Sequence, residues 1–371
     1  MKYVDEFRDG ALARGLSEAL TRVARGDRDY RFMEFCGGHT HAISRHGLED
    51  LLPPKIRMIH GPGCPVCVLP IGRIDAAIAL AKQPAVTLCT YADLMRVPAS
   101  YGASLMKAKA DGADIRMVYS TLDAIRIAES EPNREVVFFA IGFETTTPPT
   151  ALAIRLAMQR KLANFTVFCN HVLTPAAMRA ILESEENHAI DGFVGPSHVS
   201  AVIGLQPYQF VATEFGKPLV VAGFEPLDVM QAIVMLVRQL NEGHSDVENQ
   251  YGRAVASSGN VKAQAEISEI FEVRESFEWR GLGAVPNSAL RLRGAYASFD
   301  AERRFGIETP AAKDNPACEC GAILRGAKRP RDCKLFGTVC TPETPMGSCM
   351  VSSEGACAAQ WTYRRFDAHA A

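Results

Sequence analysis

No apolar run in the 371 residues approaches the roughly 20 needed to span a bilayer, so no membrane-spanning helix is expected. Neither sign of charge is in excess. Forty Lys and Arg stand against 42 Asp and Glu, a net charge of −2, which implies no general affinity for nucleic acid or an anionic membrane. The start, Met1-Lys2-Tyr3-Val4-Asp5-Glu6-Phe7-Arg8-Asp9, lacks the apolar core of a signal peptide, and a cytoplasmic location is expected. No Walker loop occurs, and no Gly-x-Gly-x-x-Gly follows an apolar run, which excludes nucleotide sites of those two types. In a reducing compartment structural disulfides are rare, so cysteines there serve as ligands, redox groups or inert buried thiols.

Cysteine is what the chain does have. Six of its eleven lie within forty residues: Cys318, Cys320, Cys333, Cys340, Cys349 and Cys357. Thiolates at that density point to a metal centre. Zinc sites favour two short Cys-x2–4-Cys knuckles. Cys318-x-Cys320 is too tight for a knuckle, and Cys333-x6-Cys340 and Cys340-x8-Cys349 are too wide. The spacing therefore favours an iron–sulfur cluster, with a zinc-stabilised binding module as an alternative.

Upstream, one pattern recurs. A short β-rich run ends in a loop of Gly, Pro, Thr, His or Cys, and a helical segment follows. The runs lie at 32–35, 56–59, 86–89, 115–118, 136–139, 165–168, 192–194 and 219–222. The helical segments include 71–82, 103–110, 149–160 and 175–184, and residues 2–25 read as an amphipathic helix. Alternation of this kind predicts an α/β fold with parallel sheets covered by helices. Eight units could close a barrel. Two short internal similarities favour two halves instead: 86–91 against 167–171, and 60–64 against 194–198. The expected division is an N-terminal helix at 1–26, α/β domains of similar fold at 27–130 and 131–240, and a smaller cysteine-rich iron–sulfur domain at 241–371.

In such sheets ligands bind beside the carboxyl ends of the strands. The first loop there is Cys36-Gly37-Gly38-His39-Thr40-His41. Cys36 and His39 could both reach one metal ion; the bland alternative is a buried Cys and a capping Thr. The second is Gly61-Pro62-Gly63-Cys64-Pro65-Val66-Cys67. Cys-x-x-Cys opening a helix is a thioredoxin-like arrangement, in which the helix end favours a thiolate. Half a zinc site or a purely structural pair are the other readings. The loops 142–148, 170–171, 195–198 and 223–226 each carry one or two polar groups, and singly each is weak. Cys89 and Cys169 lie in strands and read as packing residues.

These loops, with Gly142-Phe143-Glu144-Thr145-Thr146-Thr147-Pro148, Gly195-Pro196-Ser197-His198 and the run from Cys340 to Cys357, resemble the HypD family of [NiFe]-hydrogenase maturation factors. The resemblance runs in order from about residue 30 to 365. It implies two similar α/β domains and a third that holds a [4Fe–4S] cluster. The family's Cys-x14-Cys-x6-Cys-x16-Cys pattern falls on Cys318, Cys333, Cys340 and Cys357, leaving Cys320 and Cys349 over. It implies a scaffold that works with a HypC-type small chaperone to assemble an Fe(CN)2CO unit, held transiently, with cyanide from a HypE-type donor. Cys36 then matches the iron-holding position with His39 as a supporting group, and Cys64 and Cys67 match the redox pair. A stand-alone iron–sulfur-dependent protein disulfide oxidoreductase is the rival reading.

Overall fold

The computed structural model describes residues 5–185, 189–309, 312 and 314–365. The eight apolar runs all form strands, because Val, Ile and Phe pack well on a pleated surface buried on both faces. They are β1 (Tyr30–Glu34), β2 (Ile56–His60), β3 (Val86–Thr90), β4 (Ile115–Met117), β5 (Glu135–Gly142), β6 (Phe165–His171), β7 (Gly192–Pro196) and β8 (Leu219–Ala222). A ninth, β9 (Val247–Asn249), joins them. Two sheets result, ordered β2-β1-β7-β8-β9 and β4-β3-β5-β6, so no barrel closes. Every pairing within both is parallel. Among the described residues no helix is long and apolar enough to cross a membrane.

The pairing does not divide the chain into consecutive halves. The boundary expected at 130 falls between β4 and β5, which lie in one sheet. The unit β3–β6 is instead inserted between β2 and β7, and the chain returns at β7 to pair beside β1. The internal similarities fall within sheets rather than between them. Residues 86–91 and 167–171 fall on β3 and β6, while 60–64 and 194–198 span the carboxyl ends of β2 and β7. They express the shared demands of a buried strand turning into a loop, not a repeated domain.

The cysteine-rich part also begins later than residue 241. The first sheet gains β9 beyond that point, and the helix Val261–Ile270 packs on the helix Thr147–Gln159, which itself packs on β6. Two antiparallel ribbons follow: β10 (Phe271–Val273) with β13 (Leu290–Leu292), and β11 (Ser276–Trp279) with β12 (Gly283–Pro286). The first packs on β6. Only from about 314 does the chain become loop-rich, with short helices at Cys320–Leu324 and Ala356–Arg364. The latter lies along the helix Gly37–Arg45, and Arg364 pairs with Glu49 and Asp50.

At the amino end the expected amphipathic helix runs Gly10–Val23. Asp9 caps it by accepting from the amides of Ala11 and Leu12 at 2.7 and 3.0 Å. It packs on the helix Pro226–Glu242. Residues 1–4 of that expected segment, and 310, 311, 313 and 366–371 of the expected third domain, lie outside the described residues.

Candidate functional site

In the first sheet the chain steps from β1 outward to β2 on one side and from β7 to β8 on the other. The strand order therefore reverses between β1 and β7, where open parallel sheets bind ligands. Cys36 leaves β1 and His198 leaves β7 at that crevice. Their side chains meet: Cys36 Sγ lies 3.4 Å from His198 Nδ1. Cys36 is 1% exposed. Burial, then the charges of Glu354 and Glu34, push its thiol pKa well up, while the amides of Gly38 and His39 partly offset this. Burial lowers the pKa of His198 to about 4. The pair is thus a neutral thiol beside a neutral imidazole.

The loop after β2 is pressed against this one. The amide of Gly37 donates to the Gly63 carbonyl at 3.0 Å. A Cβ on Gly63 would lie 2.3 Å from the Cys36 nitrogen, so only glycine permits the approach. Glu34, fully buried at the end of β1, ties the two loops together. It accepts from the Cys36 amide at 2.9 Å, from the Thr40 hydroxyl, and from His60 Nδ1 at 2.8 Å. Burial alone would lower the His60 pKa, but the hydrogen bond and charge of Glu34 outweigh it and raise it.

One residue past Gly63, Cys64 opens the short helix Pro65–Val68, and Cys64 and Cys67 are joined in a disulfide with Cα atoms 5.2 Å apart. Both are buried. The helix touches β5 of the second sheet on one side and the segment Ser348–Met350 on the other. Ser348 Oγ donates to the Cys67 carbonyl at 2.9 Å, which places the disulfide directly against the cysteine-rich segment.

In that segment Cys318, Cys320, Cys333, Cys340 and Cys357 line one cavity, closed otherwise by Ile323, Leu335, Phe336, Gly347 and Met350. The donor set is all thiol inside an apolar shell, which suits an iron–sulfur cluster or zinc and no hard cation. Among the described residues no three His, Cys, Asp or Glu side chains are gathered as ligands of a single metal ion. Amides point at the sulfurs: Cys349 N–H donates to Cys320 Sγ at 3.3 Å and Met346 N–H to Cys340 Sγ at 3.4 Å. Cys349 is itself fully buried and does not line the cavity.

With this geometry, comparison with known proteins becomes specific. The family model for HypD, described as the hydrogenase formation hypA family, matches residues 11–364. The chain belongs to the HypD family. It is 72% identical over 371 residues to the hydrogenase maturation factor HypD of Rhizobium leguminosarum bv. viciae, covering 99% of this chain and 96% of that one. It is 70% identical to HypD2 of Bradyrhizobium diazoefficiens over 374 residues, 100% and 98% of the two chains. With the HypD of Escherichia coli K12 the figure is 48% over 375 residues, all of both.

The resemblance to HypD proteins directs attention to Cys36, His39, Cys64, Cys67, Cys318, Cys333, Cys340 and Cys357. The structure places Cys36 and the Cys64–Cys67 pair on adjoining loops. His39 faces elsewhere. Its Nε2 lies 3.1 and 3.0 Å from the carbonyls of Ala222 and Gly223 and so carries the proton, while Nδ1 is buried without a partner. Burial lowers its pKa to about 4. The imidazole that meets the Cys36 thiol is His198. The sequence signal for it was present, a His in a Gly-Pro-Ser-His loop after a strand, but not the strand order that sets β7 beside β1. Cys320 likewise joins the cavity from which the spacing pattern had left it out. Cys89 and Cys169 are buried in β3 and β6, as packing residues are.

Proposed function

We propose that this chain is a hydrogenase maturation factor that holds an iron atom on Cys36 while cyanide and carbon monoxide are added to it, working with a HypC-type chaperone and a HypE-type cyanide donor. The observation that carries this reading is the Cys36 thiol at the β1–β7 crevice, 3.4 Å from His198 and on a loop bonded to the one that bears Cys64 and Cys67. Low-spin iron bearing cyanide and carbon monoxide is soft and is matched by a thiolate. When Cys36 takes the iron its proton must leave, and the neutral His198 imidazole is near enough to hydrogen-bond the sulfur that remains.

Cyanide arrives as a thiocyanate on the donor protein. Two electrons and two protons from reduced Cys64 and Cys67 convert R–S–CN and the dithiol into R–SH, HCN and the Cys64–Cys67 disulfide. Loss of the remaining proton gives the cyanide ion that binds iron. The reduced pair must then be restored. Cys318, Cys333, Cys340 and Cys357 are proposed to hold a [4Fe–4S] cluster, which supplies electrons one at a time. The Ser348–Cys67 contact brings that segment to the disulfide. The test is an anaerobic infrared spectrum of protein isolated with its partners, since bound cyanide and carbon monoxide absorb where proteins do not. Both sets of bands are expected from the native chain and neither from Cys36→Ala, which should keep its partner and cluster. Full-strength bands in Cys36→Ala would place the iron elsewhere.

A further inference from the structure

We propose that Phe224 is the door to Cys36: its ring seals the thiol from a surface cavity and sets what can reach it. The proposal rests on the reading of Cys36 as the iron-holding thiol. A thiol that must receive iron, with ligands delivered by other proteins, is here 1% exposed. Something has to move.

The ring of Phe224 stands between that thiol and solvent. It lies 5.3 Å from the His198 ring and 4.9 Å from that of His39, centroid to centroid. His198 in turn touches Cys36 Sγ. A Cβ built on Gly38 would sit 2.8 Å from the Phe224 ring and 3.5 Å from Cys36 Sγ, so ring and sulfur flank one small gap. Any side chain at 38 would have to displace the ring. On its outer side Phe224 is partly exposed and lines a surface cavity with Gly38, His41, His46, Glu225 and Glu354. The cavity thus ends at the ring, and the thiol lies behind it.

The ring is also the part best able to move. The neighbouring His39 is held by two carbonyls, and the backbone of Cys36 is fixed by the Glu34 and Gly63 contacts. Phe224 sits in the loop between β8 and the helix Pro226–Glu242. Its side chain carries no hydrogen-bonding group, so swinging it about χ1 breaks no hydrogen bond, and partly exposed side chains change rotamer quickly. Opening would join the cavity to the thiol without disturbing the sheet. While closed, the ring protects the thiol from oxidants.

The experiment reads Cys36 alkylation by iodoacetamide in the full-length protein with its carboxy-terminal metal centre in place and no iron on Cys36, by peptide mass spectrometry, for native, Phe224→Ala and Phe224→Trp chains. Phe224→Ala should label Cys36 about tenfold faster than native, the ratio that about 1.4 kcal/mol in opening free energy produces. Phe224→Trp should label no faster than native. Cys89 and Cys169, buried in the sheets, should not change and report on the fold. A Cys36 rate unchanged in Phe224→Ala would overturn the proposal, as would a parallel rise at Cys89 and Cys169, which would mean general loosening. Labelling needs no iron on Cys36, so its outcome is independent of whether Cys36 holds the metal. Cyanide bands retained in Cys36→Ala would sink that reading and leave the labelling result intact.

Discussion

Cys36 Sγ lies 3.4 Å from Nδ1 of His198, although 162 residues separate them in the chain. The contact exists because the inserted unit β3–β6 lets β7 return beside β1. It has a consequence for pH. The thiol is held neutral by burial and by the nearby carboxylates, so binding a metal must displace its proton. Iron occupancy at Cys36 should therefore strengthen as pH rises. His198→Ala should slow loading and move its pH dependence to higher pH, with the carboxy-terminal cluster unaffected. Iron uptake followed across pH in the two proteins checks this, and superimposable curves would remove His198 from the site.

Five thiols line the carboxy-terminal cavity, one more than a [4Fe–4S] cluster takes. The family spacing selects Cys318 over Cys320. Cys320→Ala should then retain full iron and sulfide, whereas Cys318→Ala, Cys333→Ala, Cys340→Ala and Cys357→Ala should each lose the brown chromophore. Cys349→Ala should also retain it, since that sulfur does not face the cavity. Iron and sulfide analysis of the six proteins decides the set. Loss in Cys320→Ala with retention in Cys318→Ala would exchange the two.

Gly63 is where the Cys36 loop and the dithiol loop touch. A Cβ there would meet the Cys36 nitrogen and Cα at 2.3 and 2.4 Å, backbone atoms that cannot swing aside. Gly63→Ala should destabilise the iron-free protein by about 3 kcal/mol, at the severe end of overpacking, and impair cyanide incorporation more than partner binding. Urea unfolding together with co-purification would show it. A stability within about 0.5 kcal/mol of native would mean that the loops are not tightly apposed.

Much of this was legible in the sequence, and what was not has a common cause. Local patterns located every strand of both sheets through β8, because a run such as Val136–Phe139 and its following glycines are read within a few residues. The Cys36 and Cys64–Cys67 loops were legible for the same reason. Strand order is not local. Nothing in residues 86–171 says that they form a sheet of their own, so the expected halves were cut between β4 and β5 and the Cys36–His198 contact was missed. His39 drew attention by spacing alone. Which way its ring turns is set by the carbonyls of Ala222 and Gly223, some 180 residues on. The spacing pattern also gave no sign that Cys320 lines the same cavity, since the fold of the loops, not their length, brings it there.

Glu144 offers a test of the crevice in the second sheet. It follows β5, where that sheet's strand order reverses between β3 and β5, and is 4% exposed. Its carboxyl accepts from the amide and hydroxyl of Thr174, each at 2.9 Å, yet burial outweighs these bonds and raises its pKa to about 7. The folded protein keeps the Glu144 proton to a higher pH than the unfolded chain, whose carboxyl titrates near 4.5. The stabilisation this gives is fully present below pH 4.5 and is lost as pH rises through about 7. Glutamine keeps the shape and an acceptor for Thr174 but carries no charge. Glu144→Gln should thus match the native protein at about pH 4 and exceed it by up to about 3 kcal/mol at about pH 8.5. Urea unfolding of the iron-free proteins at both pH values measures the difference. An equal gap at both would mean that Glu144 is ionised in the fold throughout, with a partner other than Thr174 holding its charge.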